Sequence, residues 1–373
     1  MFEFLIFIIP IIAGIWMFFR YKERNPEKSI VFALITGVVP VILGIVVFFL
    51  MRASNGESQE FHGAYVVSTS YYEPWNEMVA VTKTRAVHRG DRNVTETYTT
   101  HELRRHSEEF RYKDNLGNDK GISKQMFDEI NRRMGNPEPV FRDMHRHYHT
   151  EDGDAYDRSF NGHDSCMFTL TYSESYWNPV KANPYTIFGY ERMEKEEAGE
   201  LGLFEYPDIE ERDQKCLLGL DLPDIDRKIR ELNARYGKAK QFRMYVLVFK
   251  NKGPEIAEQQ KRYWCNGNKN EFIVCLGLNN KKISWCRAFS WADNPVLEIR
   301  SRNWFREHPD VSDLMKYPDF IKSNLNEWKR KEFKDFDYLN VDLTPTQSWI
   351  FCILVIVFTT IAVVWIDLEN RKC

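Results

Sequence analysis

The chain has 373 residues, 43% of them hydrophobic and 28% charged, and its 51 basic residues against 54 acidic ones leave a net charge of −3. That balance gives no support to a partner held by bulk positive charge, so a nucleic-acid role is not expected. Seven cysteines in a chain this long exclude a small disulfide-stapled scaffold, and with no Cys-x-x-Cys pair among them a structural zinc site is not expected either.

The apolar residues gather in three charge-free runs, 4–19, 30–51 and 348–366. A helix rises about 1.5 Å per residue and the hydrocarbon layer of a bilayer is about 30 Å thick, so roughly 20 apolar residues span it. Transmembrane helices are therefore expected at 1–19, 29–51 and 348–366, the first a little short and completed by interfacial residues. A cleaved leader would open on basic residues and close on small ones. Here Glu3 precedes the first run, and Trp16, Met17, Phe18, Phe19 and Arg20 end it, which reads as an anchor. Pro10, Gly14, Ile15, Phe18 and Phe19 recur at a constant offset as Pro40, Gly44, Ile45, Phe48 and Phe49. This is either a duplicated, proline-kinked helix that packs through its glycines or chance within a small apolar alphabet. Trp349 and Trp365 bracket the third run in the manner of interfacial aromatic belts.

Orientation follows from the basic residues. Arg20, Lys22, Arg24 and Lys28 lie in the 20–28 connector, and Arg371 and Lys372 in the 367–373 tail, whereas the other two flanks hold only Arg52. Basic flanks stay in the cytoplasm. The expectation is an integral membrane protein with a large extracytoplasmic region and a cytoplasmic C-terminus.

The polar region is expected to be α+β, a β-rich subdomain over 52–221 followed by an α/β sandwich over 222–342. After a polar linker at 53–60, alternating stretches at 64–68, 78–87, 94–99 and 140–149 read as strands. A helix interrupts them at 123–134, capped by Ser123, with Met126, Ile130 and Met134 on one face. The stretch 172–223, rich in Tyr, Asn, Pro and Glu, has no period and reads as a surface wrap. Helix and strand then alternate: a stripe of Ile225, Ile229 and Leu232, a strand at 242–249, a helix at 256–264, and strands at 272–278 and 283–289 joined by a hairpin at 279–282. An amphipathic helix at 320–336 leads back to the third run. A strand, crossover helix and strand predict a right-handed parallel pair.

Over about 222–338 the order of these elements resembles the TPM-domain family. The points of likeness are Tyr236-Gly237, the strand at 244–249, a helix ending in Tyr263-Trp264, and Gly267-Asn268-Lys269-Asn270-Glu271 before the next strand. The resemblance implies a small extracytoplasmic α/β domain tethered by a transmembrane helix. The family has Asp-Asn-Gly before that strand, with the aspartate in a metal site. Here Lys269, Asn270 and Glu271 stand there, only Asn270 matches, and the metal site is not carried over. Tyr71-Tyr72-Glu73-Pro74-Trp75-Asn76-Glu77 and the 144–154 segment are similar to uncharacterised membrane proteins of bacteria and their large phages, a likeness that implies no activity.

The residues that come nearest to carrying chemistry lie at 144–154. On a strand His145, His147 and His149 share a face, with Glu151, Asp152 and Asp154 just beyond and His163-Asp164 further on. Catalytic zinc needs about three protein ligands and an open position where bound water ionises near pH 7. Against this, alternate residues on one strand stand about 7 Å apart, which favours a solvated face, and histidines titrating near pH 6.5 offer a third reading as a pH sensor. Asp152, Asp154 and Asp157 read as an acidic turn or, alternatively, calcium ligands. His88, Arg89, Asp91 and Arg92, with His101, Arg104, Arg105 and His106, form either a charged loop or an anion contact. Tyr71, Tyr72 and Trp75 form either a small core or a binding platform. Asn93-Val94-Thr95 is a glycosylation sequon, relevant only in a eukaryotic secretory route.

No phosphate-loop, dinucleotide, His-Glu-x-x-His or nucleophile-elbow pattern occurs. The expected function is therefore a non-enzymatic, membrane-anchored binding protein whose partner is another envelope protein or a second copy of itself. The alternative is a metal-dependent, phosphatase-like hydrolase using His145, His147 and His149 with Asp152 or Asp154. No cofactor is expected beyond such a divalent ion, zinc or calcium.

Overall fold

The computed structural model describes residues 2–89, 92–144, 149–151, 153–160, 167–178, 193–292, 294–332, 334 and 343–370. Three of the described helices are long and apolar enough to cross a membrane. They are α1 (Ile8–Lys22), entered through a 3-10 turn at Phe2–Phe7, α2 (Pro26–Asn55) and α9 (Pro345–Glu369). Proline at the first turn starts both α2 and α9 without losing a helical hydrogen bond. Thr344 and Gln347 form a reciprocal capping box at the start of α9, with bonds of 3.2 and 3.0 Å. Within the apolar runs, the buried Thr36 and Thr359 donate to the carbonyls of Phe32 and Val355, each at 2.8 Å, so neither hydroxyl is left unpaired.

The repeated glycines do different jobs. Gly14 lies against Gly37, where an added Cβ would come within 2.8 Å of the Ala33 carbonyl, while Gly44 makes room for the Phe7 ring and Val355. One end of the bundle is pinned by Asp367, which accepts from Arg20 at 2.9 Å and Tyr21 at 2.7 Å. The other end is pinned by paired amides, Asn55 and Gln347, at 2.6 and 2.8 Å.

α2 runs through Gly56 directly into β1 (Glu57–Tyr72), followed by β2 (Trp75–Arg89), β3 (Arg92–His106), β4 (Glu109–Asp114) and β5 (Asp119–Ile122). Then come α3 (Lys124–Arg133), β6 (Val140–Arg142), β7 (His149–Glu151), β8 (Ala155–Ser159) and β9 (Thr169–Trp177). β1 organises them. Its first half pairs antiparallel with β9, and beyond a bulge between Val66 and Ser68 its second half lies between β4 and β8. Ala64, Val66, Tyr112, Ile130, Phe168 and Leu170 form the core beneath it. Ser123 caps α3 as expected, accepting from the Met126 amide. The continuous strand expected at 140–149 is not formed: β6 stops at Arg142, and Asp143 and Met144 are irregular. β2 and β3 make a long ribbon of which, among the described residues, Asn76 and Glu77 are paired further, with β7.

The second half comprises α4 (Lys195–Leu201), β10 (Leu217–Leu218), α5 (Pro223–Lys240), β11 (Arg243–Lys250), α6 (Ile256–Tyr263), β12 (Glu271–Asn279) and β13 (Lys282–Phe289). It continues with α7 (Pro295–Glu307), a 3-10 turn at Val311–Lys316 and α8 (Tyr317–Asn324). The sheet order is β10-β11-β12-β13, parallel except for β13. β11 and β12 are buried almost throughout, which is why both read as unbroken apolar runs and not as alternating ones. The stripe Ile225, Ile229 and Leu232 packs on this sheet. Asn233 interrupts the stripe because its side chain satisfies the backbone of Met244, at 2.7 and 3.0 Å, where β10 is too short to reach.

Three expectations need correction. The stretch read as a surface wrap contains the rest of β9, α4 and β10, and Met193, Ala198 and Leu203 belong to the α/β core, so that core begins well before 222. The helix expected at 320–336 ends at Asn324, after which Trp328 and Lys329 are anchored singly to Gln241 and Asn294. α7 was not foreseen, since Ser301 breaks its apolar stripe while bonding the Leu297 carbonyl and the Tyr317 hydroxyl.

The halves meet where β1 crosses α5. Gly63 and Gly237 bring the two backbones together: a Cβ on Gly63 would fall 2.5 Å from the Asn233 carbonyl, and one on Gly237 would fall 2.7 Å from the Gly63 nitrogen. Because the obstacle is backbone, relaxation means moving a strand or a helix. Gly63→Ala in the full chain is expected to cost about 1–3 kcal/mol, seen as a lower thermal midpoint in detergent. Gly121→Ala, where a Cβ meets only a glutamate oxygen at 3.9 Å, is expected to stay within about 0.5 kcal/mol of the parent. Equal midpoints for the two variants would refute a backbone-limited joint.

Candidate functional site

A cavity of about 750 Å³ opens where the end of α2, the start of β1 and the end of β9 face the loop between α6 and β12. Its lining includes Ser54 and Glu57 near the end of α2, Phe61 and Tyr176 on the paired strands, and Tyr206, Trp264, Asn268, Lys269 and Trp291 from the second half of the chain. The loop is built for tight reversal. Cys265, Asn266 and Gly267 all have positive φ, at 49°, 67° and 77°, and backbone strain of this kind concentrates at functional sites. At Gly267 a Cβ would meet Ile273 at 2.6 Å and the Glu271 carboxylate at 2.9 Å, so a side chain there would have to displace both and hold a left-handed backbone.

Beneath the loop lies a buried polar floor. Arg243 and Glu271 open β11 and β12 as direct neighbours in the parallel register, and both are essentially without exposure. One Glu271 oxygen accepts from the Asn268 amide N–H at 2.7 Å; the other accepts from the Asn268 side chain at 3.2 Å and from the Tyr206 hydroxyl. Burial raises the Glu271 carboxyl above its ordinary range despite these donors and the nearby Arg243 charge. The same burial, with Glu271 adjacent, moves the Tyr206 phenol well above its own. Arg243 donates from Nε to the Tyr245 hydroxyl at 2.9 Å, while its Nη2 has no hydrogen-bond partner among the described residues. Asn270 ties the loop to β1 by donating to the Phe61 carbonyl at 2.9 Å. Where the family resemblance places a metal-site aspartate stands Lys269, only 7% exposed, its ammonium 6.0 Å from the centre of the Trp291 ring. The arrangement presents an acidic and a basic group in one aromatic-walled space.

Sequence reasoning did not find this site, because its members are scattered from Ser54 to Trp291. The 267–271 motif was noticed for its order of residues, and only the fold sets it against the end of α2.

The metal candidates fare differently. His145, His147, Asp152 and His163 lie outside the described residues. His149 opens β7, where its backbone pairs with Glu77. The Asp154 carboxylate accepts from the Met144 amide at 3.1 Å, and its carbonyl accepts from the Glu73 amide at 2.9 Å. Among the described residues no group of three or more His, Cys, Asp or Glu is placed to hold a metal ion. Asp157, considered as a calcium ligand, is engaged by Arg142 at 2.7 and 3.1 Å. The three aromatic residues pack on different neighbours: Tyr71 stacks on Phe110 at 5.2 Å and on Tyr156 at 6.1 Å, Tyr72 lies under the Arg142 guanidinium, and Trp75 lies flat on His106 at 4.0 Å. Cys216 and Cys286 are buried thiols that burial pushes up to about 11 and about 12, which leaves them poor nucleophiles.

The Arg142 clamp gives a pH test. Burial acts to raise the Asp157 carboxyl, but the hydrogen bonds and charge of Arg142 outweigh it and hold the group below its ordinary value. A lowered folded value means stability that is present above the unfolded pKa of about 3.9 and lost as the pH falls through the folded one. Amide protection factors in β6 are therefore expected to be level between about pH 7 and 5 and to fall below about pH 4. In Asp157→Asn they should be low throughout. Protection that persists in the variant would show that the clamp does not hold β6.

Comparison of the chain with models of protein families, with curated proteins and with solved structures finds no match.

Proposed function

We propose that this is a membrane-anchored binding protein, with α1, α2 and α9 in the bilayer, the polar region outside the cytoplasm, and a ligand taken into the cavity beside Ser54. The observation that carries the reading is the position of that cavity. Its opening lies at the point where α2 leaves its apolar run, and among the described residues its lining combines rings with the acidic Glu57 and the basic Lys269, the mixture by which concave sites hold and orient small polar ligands. The basic residues of the 20–28 connector support the orientation. The Arg20–Asp367 contact sets the C-terminal ends of α1 and α9 side by side, so these two helices run parallel, which agrees with a bundle in which both basic flanks lie at the same, cytoplasmic end. The TPM-like order of elements supports an extracytoplasmic α/β domain. Binding in this cavity needs no nucleophile or metal, and we read the protein as acting by recognition.

The test uses an epitope inserted after Gly117, an open turn where an added Cβ would touch nothing within 4 Å. The full chain should resist extraction from membranes at alkaline pH, and antibody should reach the epitope on intact cells. Release by alkaline wash would overturn the anchoring, and recognition only after permeabilisation would overturn the orientation.

A further inference from the structure

We infer that a separate cavity, of about 370 Å³ between β13 and α7, binds the phosphate group of a phosphomonoester through Arg287, Arg302 and Arg306. It shares no lining residue with the cavity beside Ser54, and neither site depends on what the other holds.

The fold gathers the three guanidinium groups. α7 buries Leu297, Ser301 and Phe305 at intervals of four residues, so Arg302 and Arg306, each the next residue along, stand one above the other on the flank of that stripe. β13, on which α7 packs, carries Arg287 directly after the buried Cys286. All three arginines line the cavity, and among its described lining residues there is no carboxylate. Ile283, Trp285 and Phe305 supply apolar surface beside them.

Lack of partners sets these arginines apart. Arg300, on the same helix, is held by Glu327 at 3.2 Å, and Arg111, Arg142 and Arg230 are likewise engaged by carboxylates. Arg287, Arg302 and Arg306 make no hydrogen bond or ion pair among the described residues. Helix stability does not call for the arrangement, since like charges four residues apart repel. Arg306, in the last turn, suits the helix dipole, but Arg302 lies a turn earlier and has no such gain. The Cys286 thiol gives no counter-charge either: burial pushes it up to about 12 in spite of Arg302 and Arg287 nearby, so it stays protonated at neutral pH. Three positive charges thus share one concave space that the chain does not neutralise, and such a space concentrates the field that draws an anion in.

Donor geometry names the anion. Arginine presents a planar fork of N–H groups that meets phosphate oxygens in pairs, and no lysine lines the cavity among the described residues. A carboxylate offers two oxygens and a single charge, which one fork satisfies. A phosphomonoester offers three terminal oxygens and a charge of about −1.5 to −2 at pH 7, which suits three forks. The apolar residues beside them take the carbon part of the molecule. A soluble phosphate ester and phosphatidic acid share this chemistry, and the test separates them.

The full chain, purified in neutral detergent and phosphate-free buffer, is titrated calorimetrically with phenyl phosphate, methyl phenyl phosphate, benzoate and inorganic phosphate, and with phosphatidic acid in mixed micelles. A monoester, phenyl phosphate or phosphatidic acid, should bind about tenfold or more tightly than the diester, benzoate and inorganic phosphate, and the tighter of the two monoesters identifies the carrier. Arg302→Gln and Arg306→Gln, at exposed positions, should each weaken that binding about tenfold or more. Arg300→Gln removes the same charge from the same helix outside the cavity and should leave the affinity within about twofold of the parent. Circular dichroism of the variants should match the parent's, so that a loss is a loss of binding and not of fold. Absence of monoester binding at millimolar concentration, benzoate or inorganic phosphate binding as tightly as the monoesters, or equal losses in all three variants would overturn the inference.

Discussion

The contact between Gly63 and Gly237 governs how the polar region is assembled. β1 links the two halves: it leaves α2 without a break, pairs in turn with β9, β4 and β8, and carries α5 across its middle. Two facing glycines let the strand and the helix approach at backbone distance, which side chains of any size would forbid. That closeness brings Asn270 within reach of the Phe61 carbonyl and sets His62 Nδ1 3.3 Å from the carbonyl of Gly237. Separate the two backbones by a methyl group and the loop before β12 no longer meets the base of β1. The cavity is thus a property of the joint between halves and belongs to neither alone.

A second cost is accepted in the same place. Burying Arg243 and Glu271 removes both from water, and mutual attraction in the interior seldom does more than offset that penalty. Apolar residues at the starts of β11 and β12 would pack as well. What the polar pair supplies is a set of directed bonds: Glu271 holds the Asn268 amide and the Tyr206 hydroxyl, and Arg243 holds Tyr245. A floor of leucine would leave the left-handed run at 265–267 with nothing to define it. Here the energetic disadvantage and the geometric precision have one cause.

The elements most legible from sequence were those whose burial comes from their own neighbours. The three apolar helices, the Ser123-capped helix and the β11-α6-β12-β13 order all appear close to where periodicity put them. Failures follow the opposite rule. β9 carries Tyr172, Glu174 and Tyr176 and lacks a clean alternation because β1 and α5 contact it unevenly. β10 is two residues long and exists only because β11 offers it an edge. α7 hides behind Ser301, whose hydroxyl is satisfied within the core. The 140–149 segment alternates well on paper, yet β6 is just three residues and ends where Arg142 turns to Asp157. The cavity was the least legible feature, since Glu57, Tyr206, Lys269 and Trp291 share no motif and are neighbours only after folding.

The two ends of the helical bundle show how the polar contacts divide their work. At the end bearing the basic connector, a formal ion pair, Arg20 with Asp367, is joined by the Tyr21 hydroxyl. At the cavity end the helices are joined by neutral amides, Asn55 with Gln347. An exposed ion pair contributes little to stability in water, and an amide pair adds no net charge to its surroundings. The difference therefore matters less for holding the bundle than for the field each end presents. With amides at the cavity end, the charged groups among the described residues lining the opening are Glu57 and Lys269, set among aromatic rings, and the joint between Gly63 and Gly237 brings together the elements that carry them.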